Sequence, residues 1–98
     1  MHRAATIAPD FPDILDTLAV IESLNGNHDA AILSIRRALV GAPNDLSMRY
    51  HQAEIEANMG ATDEAISSLE ELVAQDADEF AERAEAKKLL ASLKNIAN

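Results

Sequence analysis

The sequence predicts an all-α chain of five helices built as a repeat, and three observations carry the prediction. No stretch alternates apolar and polar residues as a half-buried strand would, while apolar residues recur at spacings of three and four. The stretch Gly26-Asn27-His28-Asp29-Ala30-Ala31-Ile32-Leu33-Ser34 returns 34 residues later as Gly60-Ala61-Thr62-Asp63-Glu64-Ala65-Ile66-Ser67-Ser68, with Gly, Asp, Ala, Ile and Ser in step. Ala19-x-Ile21-Glu22 likewise returns as Ala53-x-Ile55-Glu56. A fixed period of this length marks units that cannot bury an apolar face alone and must stack on their neighbours.

Taken in order, the first helix is expected over 12–24. Ile14, Leu15, Leu18, Ile21 and Leu24 recur at helical spacing, and Pro12 suits the first turn, where its missing N–H costs nothing. Asn25-Gly26-Asn27 stops it, because Gly or Asn takes the left-handed conformation that ends a helix. The second helix covers about 28–40, with Asn27 as cap and Ala31, Ile32, Ile35, Ala38 and Leu39 facing inward. Gly41-Ala42-Pro43-Asn44-Asp45 ends it and caps the third, over about 45–58, whose apolar positions Met48, Ala53 and Ile55 make the weakest pattern of the five. After Met59-Gly60-Ala61, Thr62 is expected to cap a fourth helix, with Asp63 and Glu64 at its positive end. Its inward stripe is Ala65, Ile66, Leu69, Leu72 and Val73. A fifth helix over about 79–94 places Phe80, Ala84, Leu89, Leu90 and Leu93 on one face and Glu82, Arg83, Glu85, Lys87 and Lys88 on another. One polar face is what a closing helix requires.

Before the first helix, Arg3-Ala4, Ala8 and Pro9 precede Arg37-Ala38, Ala42 and Pro43 by the same 34 residues. The phase thus runs back to the start, and residues 1–11 are expected to be the tail of a preceding repeat. The chain then divides into 12–45 as one unit, 46–79 as a second and 80–98 as a capping helix, and is read as a piece of a longer protein.

Composition narrows the chemistry. Of 98 residues, only one Tyr, two Phe and no Trp add to the apolar fraction, so the core must come from Ala, Leu, Ile and Val. That suits helices packed closely through small side chains. Absent cysteine excludes disulfides and thiol–metal sites. No apolar run approaches the roughly 20 residues that span a bilayer, and the first residues lack the apolar run of a secretory signal. A cytoplasmic and a periplasmic setting are both compatible with this. Net charge is −9, and between 50 and 82 there are ten carboxylates and no Lys or Arg. This disfavours nucleic acid or an anionic membrane as partner. It suits a solvated face that keeps the protein soluble, or one that attracts a basic partner.

With these residues on the page, the chain resembles the tetratricopeptide repeat, a 34-residue helix-turn-helix unit of pattern W-x2-L-G-x2-Y, then A-x3-F, then P. The first unit has Leu15-x2-Leu18-Ala19-x2-Glu22, Ala31-x3-Ile35 and Pro43; the second has Arg49-x2-Gln52-Ala53-x2-Glu56, Ala65-x3-Leu69 and Ala77 in place of proline. The departures are at the aromatic positions, where Glu22 and Glu56 stand for Tyr, and at Arg49 and Gln52, which replace apolar residues. The resemblance implies a tetratricopeptide-like α-solenoid of two repeats and a capping helix. More finely, 12–19, 49–53 and 80–90 resemble the C-terminal end of bacterial arrays found in exported lipoproteins of exopolysaccharide and protein-sorting systems.

The family binds partners in a concave groove lined by the first helix of each pair. The resemblance therefore implies groove positions at Asp13, Asp16, Val20 and Leu24, then Ser47, Tyr50, Glu54 and Asn58, with Lys88 from the fifth helix. Asp16 and Glu54 put negative charge where the carboxylate-clamp members of the family need positive. The expected occupant is a protein or peptide segment that is basic and carries an apolar anchor. Self-association and an accessory role in a larger enzyme such as a transferase are the alternatives. No catalytic role is expected: Ser34, Ser67 and Ser68 have no matching base. No cofactor or metal is expected either. His2, His28 and His51 form no ligand pair on one helix, and Asp76-Ala77-Asp78-Glu79 lacks the downstream Gly and bidentate Glu of a calcium loop.

Overall fold

Residues 11–74 and 82–97 are described in the computed structural model, and among them are five helices and no strand. These are α1 (Pro12–Leu24), α2 (His28–Gly41), α3 (Leu46–Asn58), α4 (Thr62–Val73) and α5 (Arg83–Ala97). The tail expected at 1–11, save Phe11, lies outside the described residues, as do Phe80 and the Asp76-Ala77-Asp78-Glu79 segment.

The two turns inside the helix pairs are the same turn made twice. Gly26 and Gly60 stand at φ of +83° and +86°, the left-handed region that L side chains avoid. In the first, the N–H groups of Gly26 and Asn27 donate to the carbonyls of Ser23 (3.0 Å) and Glu22 (2.8 Å). In the second, those of Gly60 and Ala61 donate to Ala57 (3.2 Å) and Glu56 (2.9 Å). This paired closure satisfies carbonyls that a helix end otherwise leaves bare.

Several helix ends differ from expectation. Asp45 does cap α3, its side chain accepting from the Met48 N–H at 3.1 Å. Asn27 flanks α2 without a side-chain cap bond, and Thr62 is the first residue of α4 rather than its cap, with Ala61 before it. Helix α2 includes Gly41, whose value lies in space: an added Cβ would stand 2.7 Å from the Pro12 ring. Helix α5 begins at Arg83, later than expected, and runs on to Ala97.

Each helix packs on the next in sequence, and α3 also touches α1 and α5; no other pair is in contact. Leu15 and Ala19 of α1, with Ala31, Ile32, Ile35 and Ala38 of α2, enclose Met48 and Ile55 of α3. Tyr50 and Ala53 of α3, with Ala65, Leu69 and Leu72 of α4, enclose Ala86 and Leu93 of α5. Helix α3 is thus buried on two sides. A single stripe cannot serve two neighbours, which is why its periodicity is the weakest of the five. Ala19, Ala31, Ala53 and Ala65 are completely buried, as close helix crossings require.

Burial does not follow the apolar pattern everywhere. Ile14, Leu18, Ile21 and Leu24 follow helical spacing in α1, yet all four are exposed; only Leu15 and Ala19 of that helix are buried. Ala84 of α5 is exposed while Ala86 is buried. Glu56 is only 6% exposed, and its carboxylate accepts from Ser68 of α4 at 3.0 Å and from Gln52 at 3.4 Å. One period earlier, Glu22 accepts from Ser34 of α2 at 2.8 Å. The Glu repeated at the 34-residue offset is therefore hydrogen-bonded each time by a Ser of the following helix. Burial pushes the Glu56 carboxyl up from its ordinary 4.5, and the hydrogen bond from Ser68 and the nearby Arg36 guanidinium oppose that shift.

Candidate partner-binding face

Because α3 touches both α1 and α5, these three helices form one layer, with α2 and α4 packed against it. Two hydrogen bonds join the layer across its seams. His51 Nδ1 and Asp16 Oδ1 are 2.7 Å apart, and an ionised carboxylate only accepts, so Nδ1 carries the hydrogen. Ser47 Oγ donates to Glu82 Oε1 at 2.7 Å. Both bonds link residues 35 positions apart, one more than the period.

Between these bonds sits Tyr50. Its ring is 7% exposed and belongs to the second core cluster, while its hydroxyl donates to Glu54 at 3.3 Å. The phenol is pushed up to about 12, first by burial, then by the Glu54 carboxylate and its hydrogen bond, then by Glu85 and Glu82. The His51 ring stands 6.0 Å from it, tilted by 56°. Tyr50 therefore supports this face from beneath, and most of its ring is already engaged by the core. Its polar neighbours are Glu54 and His51, with Glu82 and Glu85 near enough to act on the phenol.

Of the nine positions expected in the groove, the bonds and charges above tie together Asp16, Ser47, Tyr50 and Glu54. Asp13, Leu24 and Lys88 are exposed and Val20 is half-buried, on the same helices. Asn58, the last residue of α3, lines a cleft of about 540 Å³ with Gly26, Asn27, His28, Asp29, Ala30 and Met59. His51, beside Tyr50 in sequence, was open to a groove position, whereas Glu82 and Glu85 were not expected there. The signal that finds them is the 35-residue offset between residues facing each other across a seam, whereas the 34-residue offset finds only equivalents.

The face is acidic: Asp13, Asp16, Glu54, Glu82 and Glu85 stand against Lys88. Among the described residues, no group of three His, Asp or Glu side chains could hold a metal ion. No described helix is long and apolar enough to cross a membrane. No family model and no curated protein matches the chain.

Proposed function

We propose that the chain is a tetratricopeptide-like helical repeat module and that the face on α1, α3 and α5 binds a segment of another protein carrying Lys or Arg. The observation that carries the proposal is the layer itself. Helix α3 touches α1 and α5, and the bonds Asp16–His51 and Ser47–Glu82 link α3 to α1 and to the residue just before α5, which supports a face carrying carboxylates from three segments. The repeated turns at Gly26 and Gly60 and the repeated Glu22–Ser34 and Glu56–Ser68 bonds support the 34-residue unit independently of any aromatic signature.

Charges fixed by a rigid scaffold act chiefly on encounter rate and specificity, and their effect is screened by salt. The half-exposed positions of this face, and not Tyr50, supply the contact area. A binding module is proposed here and no catalytic step.

The proposal is tested with an array of short peptides in which Lys or Arg flanks a Leu or Phe anchor. Peptides that bind should bind at least tenfold more weakly to Glu54→Lys, more weakly at 0.5 M salt, and equally well to Asp63→Ala on α4. Binding indifferent to Glu54→Lys and to salt would remove this face from the account.

A further inference from the structure

We propose that the exposed stripe of Leu33, Arg36, Arg37 and Val40 on α2 is an interaction surface, and that it docks on the acidic face of α1, α3 and α5 in a second copy of this chain. The proposal rests on the reading of that face as a site for a segment carrying Lys or Arg, and it names the segment: the chain carries one itself.

Ala31, Ile32, Ile35 and Ala38 turn α2 toward its neighbours. Positions 33, 36, 37 and 40 share the outer side, because residues three and four apart lie on one face of a helix. All four are exposed, Leu33 at 60% and Val40 at 84%. Two guanidinium groups thus stand between two uncovered aliphatic side chains within about two turns. This is the basic segment with an apolar anchor that suits the acidic face, already folded, so that little ordering opposes its binding.

The repeat shows that such a stripe is not the ordinary outside of a second helix. One period later, α4 has Ser67, Glu70, Glu71 and Ala74 at the same four positions. There the charges are engaged within the chain: Glu71 pairs with Arg49 at 3.3 Å, and Glu70 with Lys94 at 3.0 Å. On α2 the sign is reversed, and the positions equivalent to Arg49 and Lys94 are Leu15 and Gly60, which carry no charge. Arg36 lies near Glu56. Arg37 has no hydrogen-bond or ion-pair partner among the described residues. The other exposed basic pair, Lys87 and Lys88 of α5, has only Ala84 and Ala91 one turn to either side and so lacks an anchor.

A single copy cannot close this contact. On α1, Leu15 and Ala19 face α2, and at 100° per residue Asp13, Val20 and Leu24 fall on the side turned away from it. Stripe and face therefore look in different directions. A contact between copies uses a different surface on each, which makes it heterologous and leaves one stripe and one face free at the ends. The net charge of −9 opposes approach. That repulsion is screened beyond about 8 Å at physiological salt, whereas Arg–carboxylate pairs form inside that distance.

The test is sedimentation of the full chain over a concentration series. At physiological salt we expect reversible association that falls roughly tenfold or more in Arg37→Glu and in Glu54→Lys, since like charges then meet across the contact. It should weaken at 0.5 M salt and be unchanged in Lys87→Glu. Leu33→Ser and Asp13→Lys, both at exposed positions, repeat the two arms without touching a bonded side chain, and circular dichroism checks that each variant is folded. The decisive arm mixes the Arg37→Glu chain with the Glu54→Lys chain. The first keeps its face and the second its stripe, so the mixture should form a one-to-one complex and grow no further. A mixture that stays monomeric while the unaltered chain associates overturns the proposal, as does association lost in Arg37→Glu but intact in both Glu54→Lys and Asp13→Lys. A chain monomeric throughout whose face still binds Lys- or Arg-bearing peptides also overturns it and leaves the face standing. Failure of those peptides as well removes both.

Discussion

Ser68→Ala removes a hydrogen bond to a carboxylate that water can hardly reach. Glu56 is 6% exposed, its bond from Ser68 is 3.0 Å, and its other bond, from Gln52, is long at 3.4 Å. Hydrogen bonds to charged groups contribute roughly 1.5–3 kcal/mol, and a buried acceptor left without its partner bears its full desolvation cost. We therefore expect Ser68→Ala to lose about 2 kcal/mol, or roughly 10 °C of Tm in a domain of this length. The repeat supplies an internal control. Ser34→Ala removes the equivalent bond to Glu22, but Glu22 is half-exposed and can recruit water, so the loss should be about 0.5–1 kcal/mol. Glu56→Gln tests the charge itself. The folded protein raises the Glu56 pKa above 4.5, chiefly by burial. It therefore holds this proton more tightly than the unfolded chain does. The resulting stability is fully present below pH 4.5 and is lost as pH rises through the folded-state value. A neutral glutamine should thus be close to neutral in effect at low pH and stabilising at pH 7. Urea unfolding of the three variants at both pH values measures this. The reasoning is refuted if Ser34→Ala costs as much as Ser68→Ala, or if Glu56→Gln leaves the pH dependence unchanged.

Gly41→Ala should destabilise by about 1–3 kcal/mol through overpacking against Pro12. Gly26→Ala and Gly60→Ala, which meet no atom within 4 Å, should each cost about 1–2 kcal/mol through the left-handed backbone alone; a much larger loss at either in chemical denaturation would contradict this. Ala31→Leu and Ala65→Leu overfill completely buried crossings and should cost about 1–3 kcal/mol each, read from thermal unfolding. Tyr50 favours its neutral form in the fold, so its contribution is intact below pH 10 and is lost as pH rises toward about 12. Tyr50→Phe should flatten that alkaline loss, measured by Tm from pH 9 to 12.

The helices of this chain were legible because each is bounded by residues with a strong local meaning. Asp45 caps, Gly26 and Gly60 turn, and the Ala, Ile and Leu positions of α2 and α4 face inward. The candidate face was less legible. Asp16, Ser47, Tyr50 and Glu54 follow from the 34-residue phase and His51 from its place beside Tyr50, but the bonds His51–Asp16 and Ser47–Glu82 arise because facing residues on adjacent helices are offset by 35. That shift depends on how one helix slides along another, which no single helix encodes. Tyr50, expected at the surface, is buried because α5 packs over the same side of α3.

Sequence alone determined the period, and with it the two identical turns and the small residues at the crossings. These depend on backbone conformation and side-chain volume, which act within a few residues. Only the tertiary structure decided which apolar residues are covered. Met48 and Ile55 are buried while Ile14 and Ile21, their equivalents, are not, because a pattern records which side of a helix is apolar and burial requires a neighbour on that side. Tertiary structure likewise turned Glu22 and Glu56 from apparent defects of the pattern into hydrogen-bond partners of Ser34 and Ser68. A carboxylate at that position is stabilised only where the paired helix brings a hydroxyl within reach.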